Sequence, residues 1–139
     1  MAEENGVFGG EHSAHYYFKD FFNADTGMLA AMHVLAALGH QDKPLSEMMA
    51  AYNRYEASGE INSRVADQEE STQQVLDAFA DRIDSIDTLD GVTVQLKGTP
   101  AWFNVRGSNT EPLLRLNVEA LTRAEVDALV DEILGIIRR

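Results

Sequence analysis

The stretch Asp90-Gly91-Val92-Thr93-Val94-Gln95-Leu96-Lys97-Gly98-Thr99-Pro100 decides the fold. Asp-Gly is a turn dipeptide, and Gly-Thr-Pro turns the chain again. Between the turns, apolar Val92, Val94 and Leu96 alternate with polar Thr93, Gln95 and Lys97, the period of a strand with one buried face. Residues 101–106 predict another strand, with Phe103 and Val105 on one side. Pro112 closes the next loop, and Leu114, Leu116 and Val118 mark a third strand. Successive strands joined by short loops pair antiparallel.

Outward from this block the period becomes helical. Thr122 with Glu125 makes a capping box, and Leu121 is placed to staple onto Val126. Val126, Leu129, Val130, Ile133 and Ile137 then form the inner face of a final helix. Upstream, Ser71 with Gln74 predicts a second capping box, followed by Val75, Leu76, Phe79 and Ile83 at helical spacing. Ile61 to Val65 alternate as a short strand, and Ser58-Gly59 punctuates the chain before it. Residues 58–139 are therefore expected to form an α+β domain, a small, mostly antiparallel sheet covered by two helices.

Residues 1–57 follow a different pattern. Val7-Phe8 before Gly9-Gly10 reads as a strand tip entering a loop, and Met1 as a start inside a longer natural chain. Asp25 or Thr26 can cap a helix that Leu38-Gly39 ends. Its Met28, Leu29, Met32, Leu35 and Leu38, with alanines on the other faces, predict a buried helix in which His33 is the one polar interior residue. Pro44 leads a second helix whose Leu45, Met48, Met49, Tyr52 and Tyr55 read as core. The segment holds too little strand to close a core by itself, so a truncated domain is expected.

Charge and composition exclude several function classes. The 139 residues carry 23 acids against 11 bases, a net charge of -12, which opposes binding to nucleic acid or to an anionic membrane surface. Eight acids and one base, Arg82, lie between Asp67 and Asp90 and read as a solvated face. No apolar run reaches the roughly 18 residues of a membrane span. The first residues lack the pattern of a signal peptide. Without cysteine there are no disulfides, thiolate metal sites or cysteine nucleophiles. A cytoplasmic location is the simplest expectation.

Two loops carry chemistry. In Gly9-Gly10-Glu11-His12-Ser13-Ala14-His15, an extended backbone would point Glu11, Ser13 and His15 the same way. A carboxylate accepting from two hydroxyls suits a sugar diol. Glu with two His is also a metal set, though the spacing fits no common site, and a polar loop without a ligand stays open. The second loop is Arg106-Gly107-Ser108-Asn109-Thr110-Glu111-Pro112. Arg106 offers a planar fork of donors suited to phosphate. Gly107 allows close backbone approach, and Ser108, Asn109 and Thr110 add two hydroxyls, an amide and a run of N–H groups able to form an anion nest. Glu111 is expected to face away. The alternative is a hairpin loop whose arginine pairs with a nearby acid. Any phosphate site here must work by local geometry, because the overall field repels anions.

Glu-x-Ser-x-His after glycines, then Arg-x-Ser-Asn-Thr-Glu-Pro in a small α+β unit, resembles the α-D-phosphohexomutase superfamily, above all its bacterial phosphomannomutase/phosphoglucomutase branch. The resemblance covers essentially the whole chain. It implies that residues 1–57 are the C-terminal part of the sugar-binding third domain, a helical remnant of an α/β domain. Residues 58–139 would be the phosphate-binding fourth domain, with a TATA-box-binding-protein-like fold. It implies four domains in the full-length enzyme, with a phosphoserine in the first and a Mg²⁺ site of clustered aspartates in the second. Hexose 6-phosphate and hexose 1-phosphate would interconvert through a hexose 1,6-bisphosphate that turns round in the site. Glu11, Ser13 and His15 would bind sugar hydroxyls; Arg106, Ser108, Asn109 and Thr110 would bind the phosphate not being transferred. The hexose phosphate substrate and the missing N-terminal domains are the implied partners. The fragment, lacking the phosphoserine loop and the aspartate cluster, would be inactive alone. Asp84, Asp87 and Asp90, spaced at threes, read as a helix end and turn. Asn109 favours the mannose/glucose branch over phosphoglucosamine mutases, where glycine is usual; a stand-alone phosphosugar-binding module is the other alternative. The family's sugar motif usually has glycine where Ala14 stands, and alanine would strain a turn that needs a positive φ.

Overall fold

A computed structural model describes residues 5–11 and 14–139. They divide into two compact units, one ending at Tyr52 and the other running from Asn53 to Arg139.

In the first unit, strands β1 (Phe8–Gly10), β2 (Tyr16–Phe18) and β3 (Ala24–Asp25) form a three-stranded antiparallel sheet in sequence order. Helices α1 (Gly27–Gly39) and α2 (Leu45–Ala50) follow. Thr26 caps α1, its hydroxyl accepting from the Leu29 N–H at 3.3 Å. The unit thus holds more strand than its sequence suggests. The β2 and β3 segments are too short to show an alternation, and backbone pairing defines them.

Two expectations about this unit fail. Helix α1 has no buried residue, and Met28 and Leu35 are 75% and 65% exposed. Helix α2 ends at Ala50, before Tyr52 and Tyr55, and Met49, Tyr52 and Tyr55 are all exposed rather than core. An apolar stripe is buried only if other chain lies across it, and the described residues of this unit supply too little to cover both helices.

The second unit holds the core. Strands β4 (Glu56–Ala57), β5 (Ile61–Arg64), β6 (Ile83–Asp87), β7 (Val92–Leu96), β8 (Trp102–Gly107) and β9 (Leu113–Ala120) form one antiparallel sheet ordered β4-β9-β8-β7-β6, with β5 also on β9. Helices α3 (Gln68–Phe79) and α4 (Arg123–Ile137) supply its buried partners. Val94, Leu96, Phe103, Val105, Leu114, Leu116 and Val118 pack on one face against Val75, Phe79, Val126, Leu129, Ile133 and Ile137. The rings of Phe79 and Phe103 meet edge to face with centroids 5.1 Å apart. This is the α+β architecture read from the alternating strands. Strand β4 lies within residues 1–57 of the sequence, yet Glu56 and Ala57 pair with Ala120 and Glu119.

Local corrections have clear causes. The Thr122–Glu125 capping box of α4 is present, whereas Ser71 does not cap α3. That helix starts a turn earlier at Asp67, whose carboxylate accepts from Glu70 N–H at 2.9 Å, and the Ser71 hydroxyl donates back to Asp67 C=O. Ile83 begins β6 rather than extending α3, because a short 3₁₀ turn at Ala80–Arg82 ends the helix. Asp84 and Asp87 accordingly lie on a strand, not a helix end.

Candidate functional site

Each chemical loop hangs from paired strands in its own unit. The first joins β1 to β2, and its described residues Glu11, Ala14 and His15 close on one another rather than lying in the extended segment expected. Glu11 N–H donates to His15 C=O at 2.9 Å, and Ala14 N–H to Glu11 C=O at 3.0 Å. Closing the turn puts Ala14 at φ 66°, a left-handed conformation that costs an L-residue roughly 1–2 kcal/mol. Ser13, with His12, lies outside the described residues.

Glu11 and His15 are each held by a residue the sequence did not assign to this loop. Tyr17 donates its hydroxyl to Glu11 Oε1 at 2.7 Å, which raises the tyrosine pKa. His15 Nδ1 lies 2.6 Å from Asp25 Oδ2, and the other Asp25 oxygen accepts from Tyr16 N–H at 2.8 Å. The hydrogen bond and charge of Asp25 raise the His15 pKa, and the same bond, with that from Tyr16, lowers the pKa of Asp25. With Nδ1 engaged, Nε2 is the ring nitrogen without a partner among the described residues. Tyr17 and Asp25 lie on β2 and β3, and only the pairing Tyr17↔Asp25 brings them to the loop.

The second loop joins β8 to β9. Arg106, Ser108, Asn109 and Thr110 come together around a cavity of about 390 Å³, also lined by Asp90, Gly91, Gly107 and Arg115. Arg106 and Arg115 are register partners on β8 and β9. Both lie on the face opposite the core, since their neighbours Val105, Leu114 and Leu116 are buried. Arg115 was missed because cross-strand pairing, not spacing along the chain, brings it to the loop. Its Nε is buried and has no hydrogen-bond partner among the described residues, while Nη1 lies 3.6 Å from Glu60.

Arg106 Nη1 donates to Asp90 Oδ2 at 2.7 Å. The acid-pairing alternative is therefore realised, but inside the same cavity. Asp90 is held by its backbone, whose C=O accepts from Asn104 Nδ2 at 2.9 Å. Gly91, at φ 72°, lets this turn rest on β8: a Cβ there would lie 2.7 Å from Val105 C=O. The expected nest of N–H groups is smaller than supposed, because Ser108 N–H donates to Leu113 C=O at 2.8 Å. Thr110 N–H faces Ser108 Oγ at 3.4 Å. The available donors are thus two guanidinium groups, hydroxyls, the Asn109 side chain and the Asn109 N–H.

Known proteins share this chain's sequence and fold. Residues 1–55 match the description "Phosphoglucomutase/phosphomannomutase, alpha/beta/alpha domain III", and residues 60–136 match the C-terminal domain of the same family. A phosphomannomutase of Methanocaldococcus jannaschii is 39% identical over 139 residues, covering all of this chain and 30% of its own length. Phosphohexose mutases of Xanthomonas campestris are 39% identical over 121 residues, 86% of this chain and 26% of theirs. A phosphomannomutase of Escherichia coli is 36% identical over 141 residues, 99% of this chain and 30% of its own. The crystal structure of a phosphoglucomutase/phosphomannomutase family protein from Burkholderia thailandensis has the same fold, with a TM-score of 0.76 at 24% identity, covering 99% of this chain and 30% of that one.

Proposed function

Because this chain belongs to the phosphoglucomutase/phosphomannomutase family, of whose relatives it spans about 30%, we propose that it is the substrate-binding C-terminal part of a phosphohexomutase. The whole enzyme interconverts hexose 6-phosphate and hexose 1-phosphate through a phosphoserine and a hexose 1,6-bisphosphate. This chain binds and orients substrate and is inactive alone. Its domain 3 part is assigned to residues 1–57 and its domain 4 part to 58–139.

The observation that carries this proposal is the polar cavity at the β8–β9 loop. Arg106, Ser108, Asn109 and Thr110 hold the phosphate that does not react, and Arg115 adds a second guanidinium. A dianion displaces Asp90 from Arg106 and takes charge-assisted hydrogen bonds, each contributing about 1.5–3 kcal/mol. In the other unit, Glu11, Ser13 and His15 bind sugar hydroxyls, with Tyr17 and Asp25 fixing two of them. A ligand that must bind in two orientations is best recognised by what both share, a ring diol and one distal phosphate.

The described residues do not fit the Mg²⁺ that the family implies. No group of three or more metal-ligating side chains occurs among them. Asp87 accepts from Leu89 N–H at 2.7 Å, and Asp90 is paired to Arg106. Metal and phosphoserine are assigned to the N-terminal domains. The expected location is cytoplasmic; no helix among the described residues is long and apolar enough to cross a membrane.

Titration of this chain with inorganic phosphate, followed by amide NMR, tests the site. Shifts concentrated at residues 106–110 and lost in Arg106→Ala support it; scattered shifts, or none at millimolar phosphate, overturn it. In the full-length enzyme, Arg106→Ala is expected to weaken substrate binding and leave folding intact.

A further inference from the structure

Gln68, the first residue of α3, lies outside the cavity lining but reaches across to the β8–β9 loop. Its single Nε2 sits 3.0 Å from Ser108 C=O, 3.0 Å from Glu111 C=O and 3.1 Å from Leu113 C=O. Three carbonyl oxygens around one atom identify it as the amide nitrogen, since the amide oxygen would meet only acceptors there. These carbonyls come from the start, middle and end of the loop. The backbone alone closes it less completely, through Ser108 N–H to Leu113 C=O at 2.8 Å and Leu113 N–H to Glu111 C=O at 2.7 Å.

We infer that Gln68 is the positioning residue of the phosphate loop. It fixes the shape of residues 108–113 from behind and so aims the phosphate donors without touching the ligand. This rests on the phosphate-binding role assigned above. A trans peptide carries its C=O and N–H in opposite directions. Holding Ser108 C=O toward Gln68 therefore directs the Asn109 N–H the other way, and that N–H has no protein acceptor among the described residues. The same contact explains Gly107. Its φ is not left-handed, so backbone freedom is not what selects glycine. A Cβ there would lie 2.5 Å from Gln68 Oε1 and 3.0 Å from its Cδ. A long side chain usually moves aside from such a contact, but this one is pinned by an amide NH₂ whose two protons are shared among three carbonyls. Gly107 leaves the space the brace occupies.

A double-mutant cycle on this chain, with inorganic phosphate as the probe, tests the inference. Gln68→Ala keeps a good helix former at this partly buried helix start. It is expected to weaken phosphate binding about five- to tenfold, with the chain still folded by its amide spectrum. Gly107→Ala should weaken binding similarly by displacing the amide, and adding it to Gln68→Ala should cost nothing more, because the two act through one contact. A dissociation constant within twofold of wild type in Gln68→Ala, or losses that multiply in the double variant, overturns the brace. If wild type itself does not bind phosphate, the proposed function falls separately. Amide exchange then still decides: faster exchange at Ser108 and Leu113 in Gln68→Ala supports the brace, and unchanged exchange refutes it.

Discussion

Ala14 and His15 show what single residues decide in the first loop. Ala14 stands at φ 66°, a left-handed conformation that glycine adopts without strain. Ala14→Gly is expected to stabilise the turn by about 1 kcal/mol, the left-handed penalty less the added freedom of glycine when unfolded, read as a higher unfolding midpoint of this unit. A lower midpoint would contradict the strained turn. For His15 the sign of the pH dependence follows from its partner. Its raised pKa makes the pairing complete below the ordinary histidine value and lost as pH rises through the folded value. The lowered pKa of Asp25 makes its share present above the ordinary carboxylate value and lost as pH falls through the folded one. The charged pair therefore persists between those limits. An NMR titration should place His15 above the ordinary histidine midpoint, and Asp25→Asn should bring it back; an unmoved midpoint would show that the pair is not formed. Glu11 and His15 were legible as chemical residues from their types. Their partners were not, because Tyr17 and Asp25 reach them only through the pairing of β1, β2 and β3.

The strands explain what could be read and what could not. Strands β7, β8 and β9 declared themselves because each buries one face, so apolar residues alternate. Strand β6 is an edge strand on which only Ile83 is partly buried, so its polar Asp84, Ser85 and Asp87 carry no alternation. Ile83 then completes a helical spacing that the 3₁₀ turn breaks. The turn between β6 and β7 is nevertheless where the cavity at the β8–β9 loop meets its internal anion. Asp90 is 71% exposed and Arg106 39%, so their ion pair contributes only up to about 1 kcal/mol. Replacing it by a ligand costs correspondingly little. Asp90→Asn is expected to tighten phosphate binding about two- to fivefold by calorimetric titration. Weaker binding would instead make Asp90 a residue that pre-orients Arg106.

At the scale of the molecule, every buried hydrophobic residue among the described residues belongs to the second unit. The strand pattern foretold that core. The patterns of Met28, Met32 and Leu35 in α1 foretold a burial that the described chain does not provide. Periodicity reports which face is apolar, not whether anything covers it. Native-state hydrogen exchange should therefore be slowest in β8, β9 and α4, and faster in α1 by on the order of a hundredfold or more. Equal protection in α1 would mean that its apolar face is covered in solution.

The register that sets Arg106 directly across from Arg115 has a consequence for the whole chain. Like charges at opposed positions of neighbouring strands work against the sheet, and Asp90 and Glu60 relieve only part of that conflict. A sequence shaped for durability alone would place neutral side chains there. Under the proposed function, binding and folding pull against each other at one rung of the sheet, and an anion entering between the two guanidinium groups would reconcile them. Occupancy and melting temperature would then become a single measurement, so a panel of anions ranked by the heat the chain withstands would also be ranked by fit to the cavity.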